Sequence, residues 1–243
     1  MTMDKTTKTI TLKCIDLNDY DRLLSLYSVD YGKITVVAKG IRRPKAKLKF
    51  LEQSACFADV ELAESNGRYV LKTAQQIESF FSIRNDLQTF YCASTILETV
   101  NFEQEGQPNT QLFLLTLKAL TQLSTQKADL VVLTKFMLSY LKIAGYQLDF
   151  SECNVCHATT EARKCYLDLQ LGGVVCNECR TVNSLTVLPD VKTNLTLIGT
   201  MPFEKLKNLA FTEVQNVEGL KLLHSYFSHL LTKLHSLTQL LSL

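Results

Sequence analysis

Proline and glycine are both scarce, at 4 and 9 of 243 residues. That excludes a collagen-like or low-complexity chain. Long apolar runs are missing too. The strongly apolar stretches, such as residues 112–117 and 185–188, fall far short of the ~18–20 residues a membrane span needs. The opening residues, MTMDKTTKTITLK, are polar and charged, with no apolar leader segment. A cytoplasmic protein with no membrane association is expected. Charge is not in excess: 21% of residues are charged and 46% hydrophobic, which excludes global disorder. The chain can bury a sizeable core, as one large domain or two modest ones.

Catalytic signatures are also missing. Gly32-Lys33 is followed by Ile34 and lacks the upstream glycine of a phosphate-binding loop. There is no GxSxG and no HExxH. Only four histidines occur. His224, His229 and His235 are spaced so that they do not share one helical face as metal ligands would. The deaminase pattern fails because Ala158-Thr159 follows His157 and Val175 precedes Cys176. No carboxylate pair stands apart from the surface charges. No enzymatic activity is expected.

What is present divides into two halves. Residues 8–80 read as about five short strands. Ile10, Leu12 and Cys14 alternate with Thr9, Thr11 and Lys13. A run around Leu23, Leu24, Leu26 and Tyr27 follows, then KITVVAK after Gly32. Cys56, Ala58, Val60 and Leu62 alternate with Asp59 and Glu61, and Asn66-Gly67 turns into a final strand at 69–73. A small closed barrel suits that count, with an OB-type or an SH3-like barrel both open. From Asp86 the period becomes helical: Leu87, Phe90, Ala93, Leu97 and Val100. Asn109 can cap a second helix to about 124. A third runs from about 128 to 144, with Gly145 at its end. Leu220, Leu223, Phe227, Leu230, Leu234, Leu237 and Leu241 follow a regular 3-4 spacing, read as one last helix packed into its own core rather than a coiled coil. The expected fold class is α+β and multidomain: an OB-type barrel over 1–80, then a helical domain over 81–243. The boundary is placed near 78–85.

Charge is local rather than global. Net charge is +2, but residues 33–51 carry Lys33, Lys39, Arg42, Arg43, Lys45, Lys47 and Lys49 with no acidic residue. Residues 39–49 alone hold six cations, at a strand end and loop marked by Gly40 and Pro44. Such a cluster is what a phosphate backbone requires, since each cation that meets a phosphate releases counterions. A solvated loop that aids solubility is the alternative for the charge run taken alone. Tyr20, Tyr27, Tyr31, Phe57 and Tyr69 could supply stacking faces, though each could equally be core.

Four of the eight cysteines form Cys153-x2-Cys156, then nineteen residues, then Cys176-x2-Cys179. This is the spacing of a four-cysteine zinc site, in which two knuckles complete a tetrahedron. One structural Zn²⁺ per chain is expected in an insert at about 151–182, because four protein ligands leave no open position for water. Cys165, Leu167, Leu169 and Leu171 alternate with Tyr166, Asp168 and Gln170, as in a small ribbon that turns back at Gly172-Gly173. Four thiolates and one Zn²⁺ sum to −2, which Arg163, Lys164 and Arg180 could offset. Cys14, Cys56, Cys92 and Cys165 read as packing residues.

With these parts in order, the chain resembles the RecO family of bacterial recombination mediators. The carriers are "DRLLSLYSVDYGKITVVAKGIRRPKAKLK", "LSYLKIAGYQLDFSECNVC" and "LGGVVCNEC". His157 departs from the glycine that often follows the first knuckle in that family. The resemblance implies an OB-fold, a helical domain and a zinc-ribbon insert. It implies binding of single- and double-stranded DNA, strand annealing, and action with RecR to help RecA replace the single-strand binding protein SSB, without ATP hydrolysis. Lys39, Arg42, Arg43, Lys45, Lys47 and Lys49 would contact phosphates, and the four cysteines would hold the metal. Two other readings stand beside it: a zinc-stabilised scaffold whose basic loop binds an acidic protein, and a zinc-dependent hydrolase or redox enzyme.

Overall fold

The computed structural model describes residues 3–125, 129–160, 164–231 and 233–243. Five strands come first: β1 (Met3–Asp16), β2 (Arg22–Ser28), β3 (Gly32–Ala38), β4 (Phe57–Ser65) and β5 (Arg68–Glu78). They close in the order β1-β2-β3-β5-β4, and β4 returns to β1. Closure comes from one short parallel pairing, Val36 with Tyr69 and Val37 with Val70. That order, with β1 shared between β2 and β4, is the OB topology and resolves the alternative that periodicity left open. β1 is long because it serves two partners. Its first half pairs β4 and its second half β2, with a register shift between Thr11 and Lys13.

The barrel core holds Leu24, Leu26, Ile34, Val36, Ala58, Val60 and Leu62. Alternation is clean in β3 and β4 but fails in β1, where Thr9 and Thr11 are as buried as Ile10 and Leu12. The cause is α1 (Leu87–Asn101), which packs on β1 and β2. Asp86 caps α1 by accepting the Thr89 N–H at 2.8 Å. Asn109 caps α2 (Thr110–Thr125) through the Leu112 N–H at 3.0 Å, as expected. Each cap satisfies an otherwise orphan donor.

The chain forms two compact units, Met1–Ser124 and Thr125–Leu243. Thus α1 and most of α2 belong with the barrel. Residues 78–85, where the sequence places its boundary, hold the end of β5 and a 3-10 turn, Phe81–Asn85.

The second unit starts with α3 (Asp129–Ile143). The expected start near 128 lies outside the described residues. Gly145 ends the helix at φ +84°. Its N–H meets the Lys142 carbonyl, and the Tyr146 N–H meets that of Leu141, which is a Schellman closure. Next come β6 (Cys165–Asp168), β7 (Gly173–Cys176) and β8 (Leu185–Val187) in the order β7-β6-β8, a three-stranded sheet rather than a two-stranded ribbon. As the middle strand, β6 is buried on both faces, so the alternation expected there is lost. Asp168 is buried instead of exposed. Its carboxylate accepts the hydroxyls of Thr181 and Ser184 and the N–H groups of Gln170 and Leu171.

α4 (Pro189–Thr200) and α5 (Glu213–Leu230) complete the packing with α3. Apolar periodicity does not mark α4, although Pro189 at its first turn is a start signal. α4 and α5 approach at Gly219, where a Cβ would lie 3.2 Å from Leu195. The single last helix is not observed. α5 stops at Leu230 and α6 (His235–Leu240) begins afresh. A straight helix over both would run about 42 Å, too long for a unit of this size. The break lets Leu234, Leu237 and Leu240 turn into the core. It also brings Thr238 Oγ1 to 3.3 Å from His224 Nε2, a contact that fourteen residues of straight helix would forbid.

Candidate nucleic-acid interface and metal centre

The basic segment joins β3 to β4. It is a succession of turns, closed by Arg43 N–H to Gly40 O, Ala46 N–H to Arg43 O and Lys49 N–H to Ala46 O. It ends in a 3-10 turn, Lys49–Glu52. Ile41 and Leu51 are buried in the barrel core, and Leu48 and Phe50 pack against it. These apolar anchors hold the loop down while Lys39, Arg42, Arg43, Lys45, Lys47 and Lys49 all face solvent. The cations therefore stand exposed on one anchored loop.

The six are not equivalent. The Arg42 guanidinium donates from Nη1 to the Asn18 carbonyl at 2.9 Å and lies 3.2 Å from Asp16 Oδ2. Asp16 also holds Arg22 Nε at 2.7 Å. Arg42 thus braces the loop against the β1–β2 turn. Arg43 lies over the Tyr20 ring, 5.3 Å from its centroid. Lys39, Lys45, Lys47 and Lys49 make no ion pair among the described residues. Further hydrogen bonds fix the β1–β2 turn and tie it to the basic loop. Asn18 Oδ1 accepts the N–H groups of Tyr20 and Asp21. Asp21 Oδ1 accepts the Gly40 N–H at 2.6 Å, and Tyr20 O accepts the Arg42 N–H at 3.1 Å. Asn18 first, then the Gly40 N–H and the charges of Lys39 and Arg43, hold the Asp21 carboxyl below the usual carboxylate range.

Beside this turn a groove of about 660 Å³ crosses β2, β3 and β5, with Leu17, Leu23, Val37, Arg68 and Tyr69 in its lining. Sequence reasoning did not find it, because its walls come from strands that meet only on barrel closure. Lys33, part of the basic run, is used elsewhere: its Nζ donates to the Asn101 carbonyl at 2.8 Å.

In the second unit, Cys153, Cys156, Cys176 and Cys179 place their sulfurs within 4.8 Å of one another. Cys156 and Cys176 are 3.8 Å apart. A tetrahedral ion with metal–sulfur bonds of ~2.3 Å needs sulfur separations of about 3.8 Å, so the donor set fits. The first knuckle is closed by the Cys153 N–H to Ala158 O and the His157 N–H to Cys153 O, both at 2.9 Å. His157 takes the left-handed conformation, φ +58°, that glycine would adopt freely. Its Nδ1 lies 3.4 Å from Glu152.

Cys153 and Cys179 are shifted in opposite directions. Burial pushes Cys153 up, but the N–H groups of Cys156, Cys176 and Val155 outweigh it and bring the thiol to about 6. The neighbouring sulfurs of Cys156 and Cys176 push Cys179 up to about 12. A cation among them is what would let all four ionise together. Arg180 stacks on Tyr166, 4.9 Å from its centroid, and donates to its hydroxyl at 2.9 Å. Of the other cations expected to offset the cluster, Lys164 is exposed and Arg163 lies outside the described residues. Cys56, Cys92 and Cys165 are buried, while Cys14 is half-buried with its sulfur 3.5 Å from Arg22 Nη1.

Barrel and cysteine cluster together define an OB-fold protein with a helical unit and a four-cysteine ribbon. Residues 1–80 match the family described as Recombination protein O N terminal, and residues 84–238 match Recombination protein O C terminal. The chain belongs to the RecO family. It is similar to the DNA repair protein RecO of Desulforamulus reducens, with 30% identity over 228 residues, 92% of this chain and 88% of that one. The protein of the same name from Dehalococcoides mccartyi is 32% identical over 200 residues, 79% of each chain. That of Clostridium acetobutylicum is 22% identical over 236 residues, 96% of this chain and 95% of that one. Among the described residues, no helix is long and apolar enough to cross a membrane.

Proposed function

We propose that this chain is a DNA-repair and recombination mediator of the cytoplasm. It binds single- and double-stranded DNA, anneals complementary strands and, with RecR, helps RecA load onto SSB-coated single strands. The relatives named DNA repair protein RecO support the process. The observation that carries the DNA contact is the anchored loop of residues 39–49, which joins two strands of an OB barrel and exposes all six of its cations.

Two strands approaching each other repel through their phosphates. A fixed row of cations offsets that repulsion and releases counterions, while base pairing supplies the free energy of annealing. No bond is made or broken by the protein, so neither a catalytic residue nor ATP hydrolysis is required. Cys153, Cys156, Cys176 and Cys179 would hold one Zn²⁺, which supplies stability to the ribbon and, with four protein ligands, no open position.

The test is annealing of two complementary oligonucleotides, one of them SSB-coated, without ATP and across a salt series. Acceleration that fades with salt is expected. Six phosphate contacts would give a log–log affinity slope on single strands of roughly −4, and with Arg42 committed to Asp16 the slope falls nearer to about −3.5. No acceleration and no DNA binding at low salt would replace this reading with a scaffold whose basic loop binds an acidic protein.

A further inference from the structure

Five aromatic residues of the barrel were candidates for stacking, and the structure separates them. Tyr27 is fully buried and stacked with Phe113. Phe57 meets Phe113 edge-on. Tyr31 and Tyr69 pair with each other, and Lys5 lies over both rings. Tyr20 alone of the five is largely exposed, at 57%. It stands at the tip of the β1–β2 turn, tied to the basic loop by the Arg42 N–H and by Arg43 over one face of its ring.

We propose that Tyr20 is the base-stacking residue of this interface, and that it makes the contact specific for unpaired strands. The proposal rests on the reading of residues 39–49 as a phosphate-binding loop. Arg43 covers one face of the ring, which leaves the other for a planar ligand. The guanidinium lies against the ring, and the Asn18 turn fixes the backbone beneath it. A nucleotide with its phosphate on the cationic loop therefore meets an aromatic face at a fixed position. In a duplex both faces of a base are covered by its neighbours, so only a single strand can use Tyr20. Phosphate contacts are common to both forms. Pairing of the bound strand removes the stacking contact and leaves the electrostatic one, so the surface holds substrate strands more tightly than the annealed product.

The chain contains no tryptophan, so Tyr20→Trp would introduce a single fluorescent reporter at the site. The full-length variant is titrated with oligo-dT and with a duplex of equal length. Quenching by oligo-dT but not by saturating duplex is expected. Tyr20→Ala should lose about fivefold or more in affinity for oligo-dT, with duplex affinity within about twofold and an unchanged salt slope. Tyr20→Phe should keep the wild-type preference, because the ring and not the hydroxyl stacks. A reporter indifferent to oligo-dT, or equal losses on both DNA forms in Tyr20→Ala, would overturn the proposal. The companion variant Lys45→Glu/Lys47→Glu separates the two levels. If it loses both DNA forms while Tyr20→Ala loses neither, the loop reading stands and the stacking inference fails. If wild-type protein binds no DNA at low salt, both fail together.

Discussion

Gly32 sits at φ +66°, and a Cβ built there would lie 2.2 Å from the Gln107 carbonyl oxygen. Two separate costs therefore fall on any substitution: a left-handed backbone and a collision with main chain that cannot rotate away. Gly32→Ala should destabilise the barrel unit by about 3 kcal/mol, read as a lowered denaturation midpoint at unchanged slope. Loss of less than about 1 kcal/mol would mean that the turn relaxes freely. Asp21 gives a residue-scale pH dependence. Its folded pKa lies below the ordinary carboxylate value because its anion accepts from Asn18 and Gly40. The brace is therefore complete above about pH 4 and is lost as pH falls through the lower, folded value. The Gly40 amide resonance, followed by NMR, should titrate with a midpoint below 3.8, the unperturbed value. A midpoint at or above that value would remove the hydrogen bond from the argument. His157 is the residue whose identity the local fold explains least. It holds a left-handed position at φ +58°, and His157→Gly should stabilise the knuckle by about 1 kcal/mol, seen as slower amide exchange there.

At the scale of elements, the ribbon is the part of the fold to which a bound metal ion would contribute most. β6, β7 and β8 have four, four and three residues, too short to be stable alone. Packing contributes as well: Tyr226 of α5 donates to the Gly172 carbonyl at the ribbon turn at 3.0 Å. A structural zinc contributes on the order of 10 kcal/mol of apparent binding free energy. Chelation should therefore expose residues 151–182 to protease while amide protection in β1–β5 persists. Uniform protection across the chain after chelation would show that the ribbon holds without an ion. Cobalt substitution would report four thiolates by its charge-transfer absorption.

For the whole molecule, the informative quantity is the distribution of charge. A net charge of +2 would steer nothing strongly, yet six cations without an acid between them occupy one loop of one unit. Reversal of Lys45 and Lys47 should lower the salt slope of single-strand binding by about 1.4, from two lost phosphate contacts at roughly 0.7 each. Since neither ammonium group makes an ion pair among the described residues, thermal stability should be unchanged within about 0.5 kcal/mol. Arg42 is the wrong choice for this measurement. Its reversal would set two carboxylates together at Asp16 and loosen the turn that carries Tyr20.

Sequence by itself determined what short-range chemistry controls. The five strands, the helical period from Asp86, the cap at Asn109, the Gly145 stop and the two cysteine knuckles are each specified within a few residues. Spacing brought Cys153, Cys156, Cys176 and Cys179 together because each knuckle is a local turn. Tertiary structure decided whatever depends on a partner far along the chain. Burial of Thr9 and Thr11 waits on α1, and burial of Asp168 waits on Thr181 and Ser184. A regular leucine spacing could not reveal that the last helix breaks at Leu231, since both halves keep the same face apolar. Nor could it separate Tyr20 from Tyr27. Both are tyrosines upstream of the basic loop, and only the folded unit sets Phe113 of α2 on the buried Tyr27 and leaves Tyr20 against Arg43. Periodicity records which side of an element is apolar, but not what that side will meet.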